Sequence, residues 1–205
     1  KNSNSTARQQ GRKGSCEKSV RGVQSHKHIS DVTMAFNKFT FRQIDADTQI
    51  KSFDCGDADL NDFLISNAIN YYKSMMALTY LLDNETDKTV AYYSLLNDKI
   101  IFDPDEKRLW NRLNRNVANS KRRKEYPAVK IGRLAISKDY AGQQIGRSIL
   151  LQLKHIFATM RRSACRFITV DAYAAAVPFY QKCGFTFLSE KDRYSPTRAM
   201  YFDLI

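Results

Sequence analysis

Between Ala128 and Met160 the hydrophobic period of the chain changes once, across a loop that holds two glycines. AVKIGRLAI (128–136) is a compact apolar run of the kind that fills a buried strand. After SKDYAGQQIG, the residues Ile145, Ile149, Leu150, Leu153, Ile156, Phe157 and Met160 recur at helical spacing on one face. Arg161, Arg162 and Ser163 then place cations where a helix C-terminus favours them. A striped helix must cover its apolar face, and the strand that precedes it supplies the surface, so this segment demands a mixed α/β architecture. The loop between them has chemistry of its own. A helix N-terminus exposes unpaired backbone N–H groups and a partial positive charge, Gly142 and Gly146 permit close backbone approach, and Arg147 adds a cation, so a phosphate group suits the position. An ordinary strand-to-helix turn fits the same residues, since the loop lacks both G-x-G-x-x-G and the Lys-Ser/Thr pair of nucleotide hydrolases.

The flanking sequence supplies further elements. FNKFTFRQI (36–44) alternates like a half-buried strand. A turn at Asp54-Cys55-Gly56-Asp57 leads into helical spacing at Leu60, Phe63, Leu64, Ala68, Ile69, Tyr72 and Met75, with Asp57 or Asp59 as N-cap and Asp62 in the first turn. LTYLL (78–82) and VAYYSLL (90–96) flank the polar turn DNETDKT. Residues 98–127 read as a basic, irregular insertion with a short helical pattern at Leu109, Leu113 and Val117. CRFITVDAY (165–173) is another strand, and AAAVPFYQKCGF predicts a short helix with Pro178 in its first turn and Gly184 as a left-handed cap. TFL (186–188) and AMYFDLI (199–205) close the pattern as strands.

With 205 residues, 43% hydrophobic and 26% charged, the chain is expected to form one folded domain and to carry a tail. Residues 1–33 hold no aromatic residue and seven basic against two acidic side chains, and are expected to be a disordered basic tail or a non-native extension, leaving residues 34–205 as the domain. His26 and His28 lie in that tail and are read as solvated rather than as metal ligands. The net charge of +12 suggests an anionic partner. Its distribution narrows that reading: the tail carries +5, residues 107–124 carry +8 with no acid, and the remainder of the domain sums to −1. Cys16, Cys55, Cys165 and Cys183 have no C-x-x-C or zinc-type spacing and are expected as reduced thiols, with no metal site. No apolar stretch reaches the ~18–20 residues that span a bilayer, so no membrane association is expected and a cytoplasmic location is.

Three segments together resemble the GNAT superfamily of N-acetyltransferases over about residues 36–205. VKIGRLAI-SKDYAGQQIGRSILLQL is similar to the family's acetyl-CoA segment, and ITVDAY-AAAVPFYQKCGF to its thiol-side segment. IKSFDCGDADLNDFL with VAYYSLL resembles the start of the bacterial GNAT toxin branch. The loop departs from the family's Gln/Arg-x-x-Gly-x-Gly/Ala, because those positions hold Ala141, Gln144 and Gly146. The resemblance implies an α+β GNAT fold: a mostly antiparallel sheet of six to seven strands, splayed in the middle and flanked by helices.

It also implies a site. The backbone at Leu134, Ala135 and Ile136 would hold the pantetheine arm and polarise the thioester carbonyl of acetyl-CoA. Ala141, Gly142, Gln143, Gln144, Ile145, Gly146 and Arg147 would bind the pyrophosphate. Tyr180 matches the family's tyrosine acid, although outside that resemblance it reads as a packed aromatic beside Phe179 and Phe185. A general base is not evident; Asp171 and Glu125 are the candidates, each also read as a structural or solvated carboxylate. An α-amine with pKa ~7.7–8.0 needs less help from a base than a lysine amine at ~10.4. Two function classes therefore stand. One is acetyl transfer to an amine acceptor: the α-amine of an aminoacyl-tRNA, with 107–124 on its phosphates and Trp110 and Tyr126 to stack, or a small-molecule or protein amine. The other is a catalytically degenerate GNAT scaffold that binds nucleic acid. A homodimer is the assembly considered.

Overall fold

The computed structural model describes residues 39–85, 88–115, 117, 122–160 and 164–205. The expected tail with His26, His28 and Cys16, the residues 86–87 of the first hairpin turn, Lys121 and residues 161–163 lie outside the described residues. Among the described residues, seven strands form one sheet in the order β1-β2-β3-β4-β5-β7-β6. They are β1 (Phe39–Gln43), β2 (Leu78–Asn84), β3 (Thr89–Ile101), β4 (Glu125–Ile136), β5 (Phe167–Tyr173), β6 (Thr186–Phe187) and β7 (Thr197–Asp203). Every neighbouring pair is antiparallel except β4 and β5, which run parallel over four residue pairs, Ala128↔Phe167 to Ile131↔Val170. β4 continues to Ile136 beyond the last of those pairs, so the sheet opens between the two strands.

Helices cover both faces. Helix α1 (Ala58–Asp62) is joined by a π-helical turn (Phe63–Asn67) to α2 (Ala68–Lys73), and the Asp57 carboxylate caps it by accepting from the Leu60 amide. These elements pack Phe63, Leu64 and Ala68 against Ile44, Leu81, Tyr92 and Ala135. Also present are α3 (Lys107–Leu113), α4 (Ile145–Thr159) and α5 (Val177–Lys182). Helix α4 buries Ile145, Ile149, Leu150 and Leu153 on the opposite face against Leu82, Tyr93, Val129, Ile131, Ile168 and Val170, and Tyr180 of α5 joins that cluster. The stripe foreseen on α4 is therefore its buried face from Ile145 to Leu153, whereas Met160 follows the helix and is exposed.

Two differences from the sequence reading have physical causes. The irregular insertion is shorter than 98–127, because Asp98–Ile101 extend β3 and pair with Glu125–Ala128 of β4. Polar residues there hide a strand that the ladder and a 2.9 Å Lys99–Glu125 ion pair hold together. The second is a β-bulge. Ser94 faces Arg133 and the next residue, Leu95, faces Ile131, so Gly132 is the extra residue in β4. Side-chain parity flips there: Val129 and Ile131 face α4 before the bulge, whereas Leu134 and Ile136 do so after it. A Cβ at Gly132 would lie 2.7 Å from Leu96 Cδ2 and 3.1 Å from Ser94 Oγ. We expect Gly132→Val to destabilise the protein by about 1–3 kcal/mol, read as a lower thermal midpoint. An unchanged midpoint would show that the bulge tolerates a side chain.

Candidate active site

The end of β4 and the loop after it are fixed from several directions. The Ser137 amide donates to the Val90 carbonyl at 2.8 Å and the Lys138 amide to the Asp54 carbonyl at 3.0 Å. A short 3-10 turn, Lys138–Tyr140, is tied down by Lys138 on Asp54 at 2.5 Å, Lys88 on Asp139 at 3.2 Å, and Asn84 Nδ2 donating to the Tyr140 hydroxyl at 2.8 Å. Asp54 also accepts from the Gly56 amide and from Asn61. The Lys138 hydrogen bond foremost, then those donors, hold its carboxyl at about 2.

Beyond that anchor the chain reverses through two left-handed residues, Gly142 at φ +77° and Gln144 at φ +59°. Gln144 sits immediately before α4, and its carbonyl already accepts from the Ser148 amide at 3.0 Å. The loop thus takes a glycine-like conformation at 144 although the residue there has a Cβ. Gly146 meets a different demand: a Cβ would stand 3.3 Å from Phe179 Cζ, so its absence lets α5 close on the first turn of α4.

A cavity of about 490 Å³ lies in this corner, between β4, the loop, α4 and α5. It gathers nine of the eleven residues singled out from sequence: Leu134, Ile136, Ala141, Gly142, Gln144, Ile145, Gly146, Arg147 and Tyr180. Ala135 and Gln143 do not line it. Parity after the bulge turns the Ala135 side chain into the cluster under α1 and α2, and Gln143 is exposed. Sequence reasoning missed Tyr140, Phe179, Lys182 and Cys183, which also line the cavity.

A second cavity of about 490 Å³ opens where β4 and β5 part, lined by residues that include Leu60, Phe63, Met76, Leu96, Arg133 and Asp171. Leu134, Ala176 and Tyr180 belong to both cavities. Tyr180 is 6% exposed and held edge-on between Phe179 and Phe185, at 5.1 and 5.4 Å between ring centroids. Burial raises its phenol above the ordinary tyrosine value, with the Cys183 thiol adding in the same sense, so it is a proton donor and not a phenolate at neutral pH.

The other nominated groups fall in different places. Asp171 lines the second cavity, where Lys130 Nζ donates to it. Glu125 does not reach either cavity: it stands at the start of β4, paired with Lys99, about 30 Å from Leu134 at strand rise. That position removes it as a base. Trp110 and Tyr126 are not free to stack on a ligand, because they stack on each other at 5.2 Å. Tyr126 is buried and its hydroxyl donates to Asn114 Oδ1 at 2.5 Å.

Residues 108–195 match the family model described as Acetyltransferase (GNAT) domain. That stretch of the chain is similar to a GNAT acetyltransferase domain. GNAT domains take the acetyl group from acetyl-CoA. Several solved structures share the fold of this chain. A bacterial toxin superposes with a TM-score of 0.66 at 15% identity, over 81% of this chain and 90% of the other. AtaT complexed with acetyl-methionyl-tRNAfMet gives 0.65 at 21%, covering 80% and 94%, and AtaTR bound with acetyl-CoA gives 0.64 at 22%, covering 82% and 94%. No helix of the described residues is long and apolar enough to cross a membrane.

The left-handed Gln144 yields a stability test. A non-glycine residue in that region costs roughly 1–2 kcal/mol, partly offset by the greater unfolded-state freedom of glycine. Gln144→Gly should raise stability by about 0.5 kcal/mol and the β-branched Gln144→Val should lower it by about 1–2 kcal/mol in denaturant titrations. The opposite order would contradict the loop geometry.

Proposed function

We propose that the protein acetylates the α-amine of an aminoacyl-tRNA, with acetyl-CoA in the first cavity, the aminoacyl end in the second, and Tyr180 as the acid between them. The observation that carries this reading is the position of Tyr180 on the wall common to both cavities. Beyond Ile131 β4 has no ladder with β5, so backbone groups on that edge are available to the pantetheine arm and the thioester carbonyl. The unpaired amides at the start of α4, with Arg147, suit the pyrophosphate. The amine attacks the carbonyl carbon, the C–N bond forms, the C–S bond breaks, and the sulfur leaves as a thiolate that accepts the proton offered by the Tyr180 hydroxyl. The amine's surplus proton leaves to solvent, and the Tyr180 phenolate takes up a proton from solvent, which restores the acid.

The acceptor assignment draws on the second cavity and on charge. Apolar side chains at Leu60, Phe63, Met76 and Leu96 suit the side chain of an apolar aminoacyl group. Among the described residues, Asp171, bound by Lys130, is the one carboxylate lining it, which favours an amine that is already partly neutral at pH 7 over a lysine or polyamine. Arg123 and Lys124 are exposed just before the start of β4, roughly 30 Å from Leu134, a separation that only a macromolecular acceptor bridges, and Arg108 is exposed on α3. The fold likeness to AtaT complexed with acetyl-methionyl-tRNAfMet points the same way. Against a degenerate scaffold stands Gln144, which takes the left-handed turn that a glycine would otherwise provide.

Two experiments test this reading. Tyr180→Phe should lower kcat about a hundredfold while changing the Kd for acetyl-CoA less than about twofold. An unaltered kcat would remove Tyr180 as the acid. Offered charged tRNA, free amino acids, polyamines and a lysine peptide, the enzyme should acetylate the charged tRNA. Replacing Arg108, Arg123 and Lys124 with Ser should weaken that reaction and flatten its salt dependence. Turnover of a small amine with charged tRNA inert would overturn the acceptor assignment.

A further inference from the structure

The bulge at Gly132 also decides where Arg133 points. Val129 and Ile131 face α4, and with parity reversed Arg133 turns to the opposite side, toward α1, where its guanidinium carbon lies 5.1 Å from the centroid of the Phe63 ring. There it lines the second cavity together with Tyr180. Its hydrogen bonding is incomplete. Nη1 donates to the Gly132 carbonyl at 2.9 Å, and Nη2 stands 3.7 Å from Asp59 Oδ2, within ion-pair reach but beyond a hydrogen bond. Nε is buried and has no hydrogen-bond partner.

Packing alone does not account for this arrangement. A buried donor left unpaired costs stability, and a guanidinium with spare N–H groups beside a cavity offers them to a guest. Among the described residues, Lys130 is the other cation lining the cavity, and it is already engaged as a donor to Asp171. Asp59 steadies Arg133. Its carboxylate also accepts from the Tyr173 hydroxyl at 3.2 Å, so α1 is tied to both β4 and β5 beyond the point where those strands part.

The chemistry of the side chain selects the guest. Its N–H donors take an oxygen, and its charge repels an ammonium. A carboxylate guest would set two anions, itself and Asp59, against one guanidinium, whereas a neutral carbonyl meets no such repulsion. In an aminoacyl ester or amide that carbonyl sits on the carbon next to the one bearing the amine. We infer that Arg133 holds the acyl oxygen of the acceptor, with Asp59 as its positioning residue, so that the protein selects α-amines with an adjacent ester or amide carbonyl over amines that lack one. This inference rests on the second cavity being the acceptor site of the reading above.

Acetyl transfer to leucinamide, leucine and 3-methylbutylamine tests it, since the three share one apolar side chain and differ in the group beside the amine. Rates are compared as kcat/KM per neutral amine, which removes the differences in amine pKa. The unmodified protein should favour leucinamide over 3-methylbutylamine by at least about tenfold, with leucine below leucinamide. Arg133→Met should cut that preference to about twofold, with the loss falling on leucinamide, and Arg133→Lys, which keeps the charge near Phe63 but not the planar donors, should leave an intermediate value. Asp59→Asn should raise leucine relative to leucinamide, because the competing anion is gone; an unchanged ratio would remove Asp59 from its role. No preference for leucinamide in the unmodified protein, or equal loss on both amines in Arg133→Met, would overturn the assignment of Arg133. Leucine used ahead of leucinamide would overturn the neutral carbonyl as the guest. Charged tRNA left inert while leucinamide is acetylated with this preference would overturn the tRNA reading and leave Arg133 in its role.

Discussion

β4 and β5 are hydrogen-bonded as parallel neighbours for four residue pairs and then separate. Parallel strands normally continue side by side because each leaves backbone donors and acceptors that need partners. Here both strands have an alternative. β4 keeps β3 along its whole length, and β5 is held over its length by β7, so each remains part of the sheet after losing the other. The opening puts ladder-free backbone beside Leu134, Tyr180 and the loop into α4, and both cavities border it. Gly132 reinforces the arrangement, since its bulge reverses side-chain parity and turns Leu134 and Ile136 toward the first cavity.

Around that opening the residues proposed for the chemistry sit on ordered supports. The loop before α4 is fixed by Asp54, Val90, Asn84 and Lys88. Tyr180 is fixed by aromatic packing and by the tight turn of α5, where the Phe185 amide donates to the Tyr180 carbonyl at 3.0 Å and Gly184 adopts φ +84°. Acetyl transfer asks for a donor placed where negative charge develops, and a buried phenol between two rings has little freedom to move from that place.

Much of this was legible in the sequence, for identifiable reasons. The stripe on α4, the Asp57 cap, the Gly184 turn and the strand at 128–136 each follow from local periodicity or backbone chemistry. The true ends of β3 and β4 were hidden, because their polar residues are held by a ladder between segments 24 residues apart at Ile101↔Glu125. The bulge was equally hidden, and with it the turn of the Ala135 side chain into the cluster under α1 and α2. Tyr126 read as a ring available to RNA because exposure is not written in composition; in the fold it fills the cluster formed by Ile100, Leu113 and Phe167.

The central claim is that the opening beside Tyr180 and the start of α4 together receive acetyl-CoA. Amide hydrogen exchange, followed residue by residue with and without acetyl-CoA, tests it most directly. The amides of Ile145, Gly146 and Arg147 precede the repeating hydrogen bonds of α4 and should exchange quickly in the free protein. Saturating acetyl-CoA should slow them, together with amides of Gly132–Ile136, and leave Lys107–Leu113 unchanged. Protection confined to α3 or the start of β4, with Ile145–Arg147 unaffected, would contradict the account.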